Sequence, residues 1–102
     1  MTELLRWNIY EISAQESSLN GVMLRGRIRK YGIENGINVL TENAEDKENR
    51  VRYATLTIED GEQISRYVQS VISDVAISMV NRSVINPVLS KQKVNIKERY
   101  SL

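Results

Sequence analysis

Apolar and polar residues alternate strand-fashion in two stretches of this chain and recur at helical spacing in a third. From Leu4 to Ile12 the alternation predicts a strand with Leu5, Trp7 and Ile9 on one face and Tyr10 and Ile12 on the other. From Arg50 to Ile58, the residues Ala54, Leu56 and Ile58 alternate with Tyr53, Thr55 and Thr57, which predicts a second strand. Beyond it, Ile64, Val68, Val71, Ile72, Val75, Ala76, Met79 and Val80 recur at steps of three and four. That run predicts a helix from about Asp60 to Val80, with Asp60 as N-cap and Glu62 at the positive end of the dipole. Its many β-branched residues lower helix propensity, so the helix needs a sheet to lie on. Pro87 forbids a return to helix, and Val94, Ile96 and the stretch from Arg99 to Leu102 read as a last strand.

Residues 20–36 read two ways. Asn20-Gly21 and Asn35-Gly36 are hairpin signals, which would put Val22, Leu24 and Ile28 on the inner face of a strand. Alternatively Ser17 or Ser18 caps a helix with Leu24, Ile28 and Tyr31 as its buried stripe, Gly32 just past its end and Ile33 after it. Gly26 argues for the strand. An echo in the sequence tips the reading toward the helix. Ile37-Asn38-Val39-Leu40, followed by Arg52-Tyr53-Ala54-Thr55-Leu56, is matched by Ile85-Asn86-Pro87-Val88-Leu89, followed by Arg99-Tyr100-Ser101-Leu102. The echo predicts an internal repeat, 1–49 and 50–102, with a helix in each half.

At 102 residues the chain forms a single domain, 1–102, because a half of about 50 residues buries too little apolar surface to stand alone. The predicted class is α+β: an antiparallel sheet with a helix or helices packed on it, in two similar strand-helix-strand halves if the repeat is real. Apolar content of 41% with 26% charged residues excludes a disordered chain. No Cys and no His are present, which removes disulfides, thiolate metal sites, the usual zinc sites and His-based triads. No metal or other cofactor is predicted. No apolar run approaches membrane-spanning length and no signal-peptide core is evident, so the expectation is a soluble intracellular protein without a membrane partner.

Net charge is only +1 but unevenly spread. Between Val22 and Tyr31 lie Arg25, Arg27, Arg29 and Lys30 with no acid, and a second basic stretch runs from Arg82 to Arg99. The first cluster, ending on Tyr31, is the candidate nucleic-acid site; on a strand its members would share one face, and on a helix they would fan out. Four tyrosines each follow a cation: Lys30-Tyr31, Arg52-Tyr53, Arg66-Tyr67 and Arg99-Tyr100. Tyr and Arg dominate binding hot spots because both bury large area while keeping polar ends. In a repeated domain Arg52, Tyr53, Arg99 and Tyr100 would line a groove into which an extended peptide adds as a strand. The carboxylates Glu42, Glu45, Asp46 and Glu48 lack calcium-loop spacing and read as a solvated loop.

Gly21-Val22-Met23-Leu24-Arg25, with Asn43 downstream, resembles the Gly-Val-x-Phe-Arg stretch of acylphosphatases. The resemblance implies that Arg25 cradles a phosphate and Asn43 positions water. Residues 16–20, Glu-Ser-Ser-Leu-Asn, depart from that family's phosphate loop. As a whole, the Cys-free, His-free and Ile-rich chain resembles the small orphan proteins of filamentous viruses of hyperthermophilic archaea. That resemblance implies a host-cytoplasmic protein and no particular activity. The leading expectation is a non-enzymatic module binding a protein or peptide. Nucleic-acid binding through residues 25–31 comes second, and an acylphosphatase-like hydrolase is the remote third.

Overall fold

The strand Arg6–Ala14 (β1) is the one around which the other elements assemble, in a computed structural model that describes residues 6–19, 23–43 and 49–85. It is followed by α1 (Leu24–Asn35), β2 (Val39–Asn43), β3 (Arg50–Thr55), α2 (Ile58–Val71) and β4 (Val75–Ile85). The four strands form one antiparallel sheet in the order β2-β3-β1-β4. This α+β arrangement is the split βαβ, or ferredoxin-like, topology, in which each strand-helix-strand unit inserts a strand into the other.

Both faces of the sheet carry buried side chains, and the residue alternation says which side chain goes where. Tyr10 and Ile12 of β1, Val39 of β2, and Val51 and Tyr53 of β3 pack with Leu24 and Ile28 of α1 and Ile64 and Val68 of α2. Trp7 and Ile9 join Leu40 and Ala54 on the opposite face, flanked by Leu56 and Val84. The expected division of β1 into these two sets is therefore the observed one. Register links the sets across strands: Ile9 lies opposite Ala54, which lies opposite Leu40, while Tyr10 lies opposite Tyr53.

Residues 24–35 are helix, which settles the ambiguity of that segment. Gly36 ends α1 in the left-handed conformation at φ 68°, a geometry that favours glycine, so the Asn35-Gly36 pair is a helix stop and not a hairpin turn. Gly32, expected just past the end, is instead buried within α1. Neither Ser17 nor Ser18 caps the helix: Met23 holds the N-cap position without a side-chain hydrogen bond.

The helix expected over residues 60–80 is two elements. Thr57 caps α2, its Oγ1 accepting from the Asp60 backbone N–H at 3.0 Å, with Glu59 and Asp60 in the first turn where the dipole favours them. The helix stops at Val71, and the chain returns as β4 from Val75. Helical and strand periodicities coincide at Val75 and Met79, so spacing alone did not separate them. Ile77 decides: with Val75 and Met79 it packs on the helix-side core, while Ala76, Ser78 and Val80 point outward. The β-branched residues that weakened the helix reading gain ladder hydrogen bonds against β1 instead.

The expected division between residues 49 and 50 falls between the units β1-α1-β2 and β3-α2-β4. The echo itself has a different register. It pairs Ile37, just before β2, with Ile85, the last residue of β4, whereas the element equivalent to β2 begins at Val75. Strand-helix-strand order in each half belongs to the topology and does not establish a duplication. The expected strand over Val94, Ile96 and Arg99 to Leu102 lies outside the described residues.

Candidate functional site: a hollow between the two helices

Tyr53, expected on a contact surface, is fully buried. Its ring stacks on Tyr10 at 4.9 Å, and its hydroxyl donates to the Gly61 carbonyl at 2.9 Å. Burial pushes its phenol well above the usual tyrosine range. The strand that carries it is also paired on both sides, by β1 and β2, so no peptide can add there. The expectation that Tyr53 lines a peptide groove is corrected on both counts. Arg52 points the other way, half-buried, and the register sets it between Glu11 of β1 and Glu42 of β2. Its charge thus belongs to a row across the sheet. Arg99 and Tyr100 lie outside the described residues.

The basic cluster fares differently. A helix advances about 100° per residue, so positions three and four apart share a face. Arg27, Lys30 and Tyr31 therefore lie on one flank of α1, with Met23 a turn before them and Glu34 a turn after. Arg25 and Arg29 stand together on another flank, both half-buried. The helix splits the five expected nucleic-acid residues into two groups.

The first group faces a hollow. Across from it, Tyr67 of α2 stacks on Tyr31 with ring centroids 4.3 Å apart and planes 18° from parallel. Gln63, one turn earlier on α2, donates from Nε2 to the Tyr31 hydroxyl at 3.1 Å. These contacts leave a hollow of about 550 Å³, walled by Met23, Arg27, Lys30, Tyr31, Glu34 and Tyr67. Gly26 forms part of its lining, and a Cβ at that position would meet nothing within 4 Å. Met23 is 74% exposed, an apolar side chain left in water at the rim. Chemically the hollow offers an aromatic wall, two cations and one carboxylate.

Arg25, a phosphate ligand on the acylphosphatase resemblance, sits inside α1 on the flank away from the hollow. The backbone at residues 16 and 17, in the stretch that departs from that family's phosphate loop, is engaged by the chain's own carboxylate. Asp74, in the turn between α2 and β4, accepts from the Ser17 hydroxyl at 2.5 Å and from the backbone N–H groups of Glu16 and Ser17 at 2.8 and 3.0 Å. The Ser17 hydroxyl, followed by these amides, holds the Asp74 carboxyl well below the usual carboxylate range. With the folded value depressed, its stabilising contribution is complete above the unfolded value of about 4 and is lost as pH falls below it. The gap in melting temperature between wild type and Asp74→Asn should therefore be wide at neutral pH and narrow toward about pH 3. Thermal scans across that range would refute the clasp if the gap stayed constant.

Among the described residues, no group of three acidic side chains could hold a metal ion, and no helix is long and apolar enough to cross a membrane. The fold is a small ferredoxin-like α+β domain with a hollow on its helix layer. No known protein family, curated protein or solved structure matches the chain. The sequence pointed to half of this site: Arg27, Lys30 and Tyr31 stood out, and Met23, Glu34 and Tyr67 did not. Tyr67 carried a usable signal, since it follows a cation and sits one position off the buried stripe of Ile64 and Val68. Its partnership with Tyr31 depends on the two helices lying side by side, which local pattern does not encode.

Proposed function

We propose that this protein is a non-enzymatic interaction module that binds a protein or peptide partner at the α1–α2 hollow. The observation that carries the reading is the half-buried Tyr31–Tyr67 stack set beside an exposed Met23 and the cations Arg27 and Lys30. Aromatic rings, Met and Arg are the side chains enriched where proteins meet. A concavity of this volume takes a few partner side chains.

Nucleic-acid binding ranks second for two reasons. A four-stranded sheet that reads nucleic acid does so with aromatics stacked against bases on its open face. Here Trp7 is fully buried on the face away from the helices, and Tyr10 and Tyr53 lie in the core on the other. The helical fan also breaks the continuous phosphate track that Arg25, Arg27, Arg29 and Lys30 would have made on a strand.

A hollow-filling variant tests the proposal. Gly26→Trp adds a large ring at a lining position whose Cβ would meet nothing within 4 Å, and it replaces the poorest non-proline helix former in α1. A displayed random-peptide library selected on the wild-type chain, then depleted on Gly26→Trp, should yield peptides that prefer wild type by about ten-fold or more. Thermal unfolding would verify that the variant is folded. Survivors that bind both proteins equally, or an empty selection, would sink the reading.

A further inference from the structure

We infer that the hollow takes an acidic peptide segment, with an Asp or Glu carboxylate between Arg27, Lys30 and Tyr31 and a neighbouring apolar side chain against Met23 and Tyr67. The inference rests on the interaction reading and names the chemistry of its partner.

Arg27 and Lys30 lie three residues apart on one face of α1, and neither side chain has any acceptor capacity. The Tyr31 oxygen already accepts from Gln63, so its own O–H proton is left to be donated. Two cations and one hydroxyl donor therefore line the same hollow, and the ligand that complements them is rich in acceptors and negative. Charged donors also form the stronger hydrogen bonds to a carboxylate.

The wider charge pattern agrees. From Val22 to Tyr31 the chain carries four cations and no acid, whereas Glu59, Asp60 and Glu62 cluster at the start of α2. In this topology the two helices run antiparallel, so the acids sit at the opposite end of the helix layer from Met23 and Arg27. The pairing of Gln63 with Tyr31, and of Tyr67 with Tyr31, fixes that alignment. An acidic segment is drawn to the Arg27 end and repelled from the Glu34 end, which sets its direction as well as its position.

The same features argue against a nucleic acid in this hollow. Only two cations converge, Glu34 opposes a second phosphate, and each of the two tyrosine rings has one face occupied by the other. The apolar wall selects further. Met23 is unbranched and adaptable, suited to cover a Leu or Ile beside the carboxylate.

The test uses the peptides that survive the two-step selection described for Gly26→Trp. The expected survivors are enriched in Asp and Glu over the starting library. A fluorescently labelled survivor, titrated by anisotropy, should bind the full chain more weakly as salt rises from about 50 to 200 mM. Arg27→Ala and Lys30→Ala should each weaken it roughly three- to ten-fold, and its Asn/Gln counterpart should bind at least ten-fold more weakly. Survivors that depend on the hollow but carry no acidic bias would overturn this inference and leave the interaction module standing. A labelled single-stranded oligonucleotide that displaces the peptide from the hollow, with a steeper salt dependence, would overturn both.

Discussion

Gly61→Ala should unfold about 10 °C below wild type, although alanine is the better helix former by about 1 kcal/mol. Gly61 lies in the second turn of α2, buried, where the helix crosses the paired tyrosines of β1 and β3. A methyl group there would run into the Tyr10 ring and its hydroxyl. Tyr10 cannot swing aside freely, because its ring stacks on Tyr53, and Tyr53 is in turn tied to the Gly61 carbonyl. The methyl therefore forces α2 away from the sheet, which strains or breaks that hydrogen bond. Overpacking of this kind costs about 1–3 kcal/mol, and the lost hydrogen bond about 1 more. Against the gain in propensity, the net loss is about 2 kcal/mol, a large part of the margin of a small domain. A double-mutant cycle isolates the cause. In a Tyr10→Leu background, Gly61→Ala should be neutral or slightly stabilising, because the obstructing ring is gone. Equal losses in both backgrounds, measured by urea unfolding, would remove the ring as the explanation.

The same tyrosine pair shows where sequence reasoning stops. Alternation alone placed Tyr10 and Ile12 opposite Trp7 and Ile9, because side-chain period is a property of the strand itself. Whether a strand is internal or at an edge depends on partners far away in sequence. Arg52-Tyr53 looked like an amphipathic surface pair only because nothing local reveals that β3 is enclosed by β1 and β2. The helix assigned to residues 60–80 failed for a related reason. Val75, Ala76, Met79 and Val80 fit helical spacing, but the register of β4 against β1, from Ser13 opposite Ala76 to Trp7 opposite Val84, is a long-range fact. Propensity was the better guide there, since the β-branched residues favoured a strand and the ladder supplied it.

The site follows the same division. That Arg27, Lys30 and Tyr31 form one flank follows from helix geometry once residues 24–35 are known to be helical. That Tyr67 completes the site follows only from the topology, which lays α2 beside α1 on a single face of the sheet. The topology also closes alternatives. It encloses Tyr53, and it brings Asp74 onto the backbone amides of Glu16 and Ser17.

Asn49→Ala should cost about 3–4 kcal/mol, more than a change at a half-exposed turn residue usually does. Asn49 has left-handed backbone geometry at φ 52°, which Asn tolerates and Ala adopts at a cost of about 1 kcal/mol. Its side chain also satisfies three backbone groups of the loop between β1 and α1. Oδ1 accepts from the Leu19 N–H at 2.9 Å, and Nδ2 donates to the carbonyls of Ser17 and Ala14 at 2.8 and 3.2 Å. Removing them forfeits about 1 kcal/mol each. Asn49→Gly keeps the backbone geometry but not the hydrogen bonds, so it should fall between wild type and Asn49→Ala. Asn49→Asp retains the acceptor for Leu19 and sets a carboxylate against two carbonyls, so it should be as harmful as the alanine. The consequence reaches the hollow. Leu19 is buried in the helix-side core, and its carbonyl accepts from the Leu24 N–H at 3.1 Å, which holds the uncapped start of α1. Freed from Asn49, that loop no longer fixes where Met23 and Arg27 stand. Amide hydrogen exchange should then accelerate at Leu19 and Leu24 well beyond the rest of the sheet. Unfolding within about 1 kcal/mol of wild type, or unchanged exchange at those two amides, would show that the loop is held by something other than Asn49.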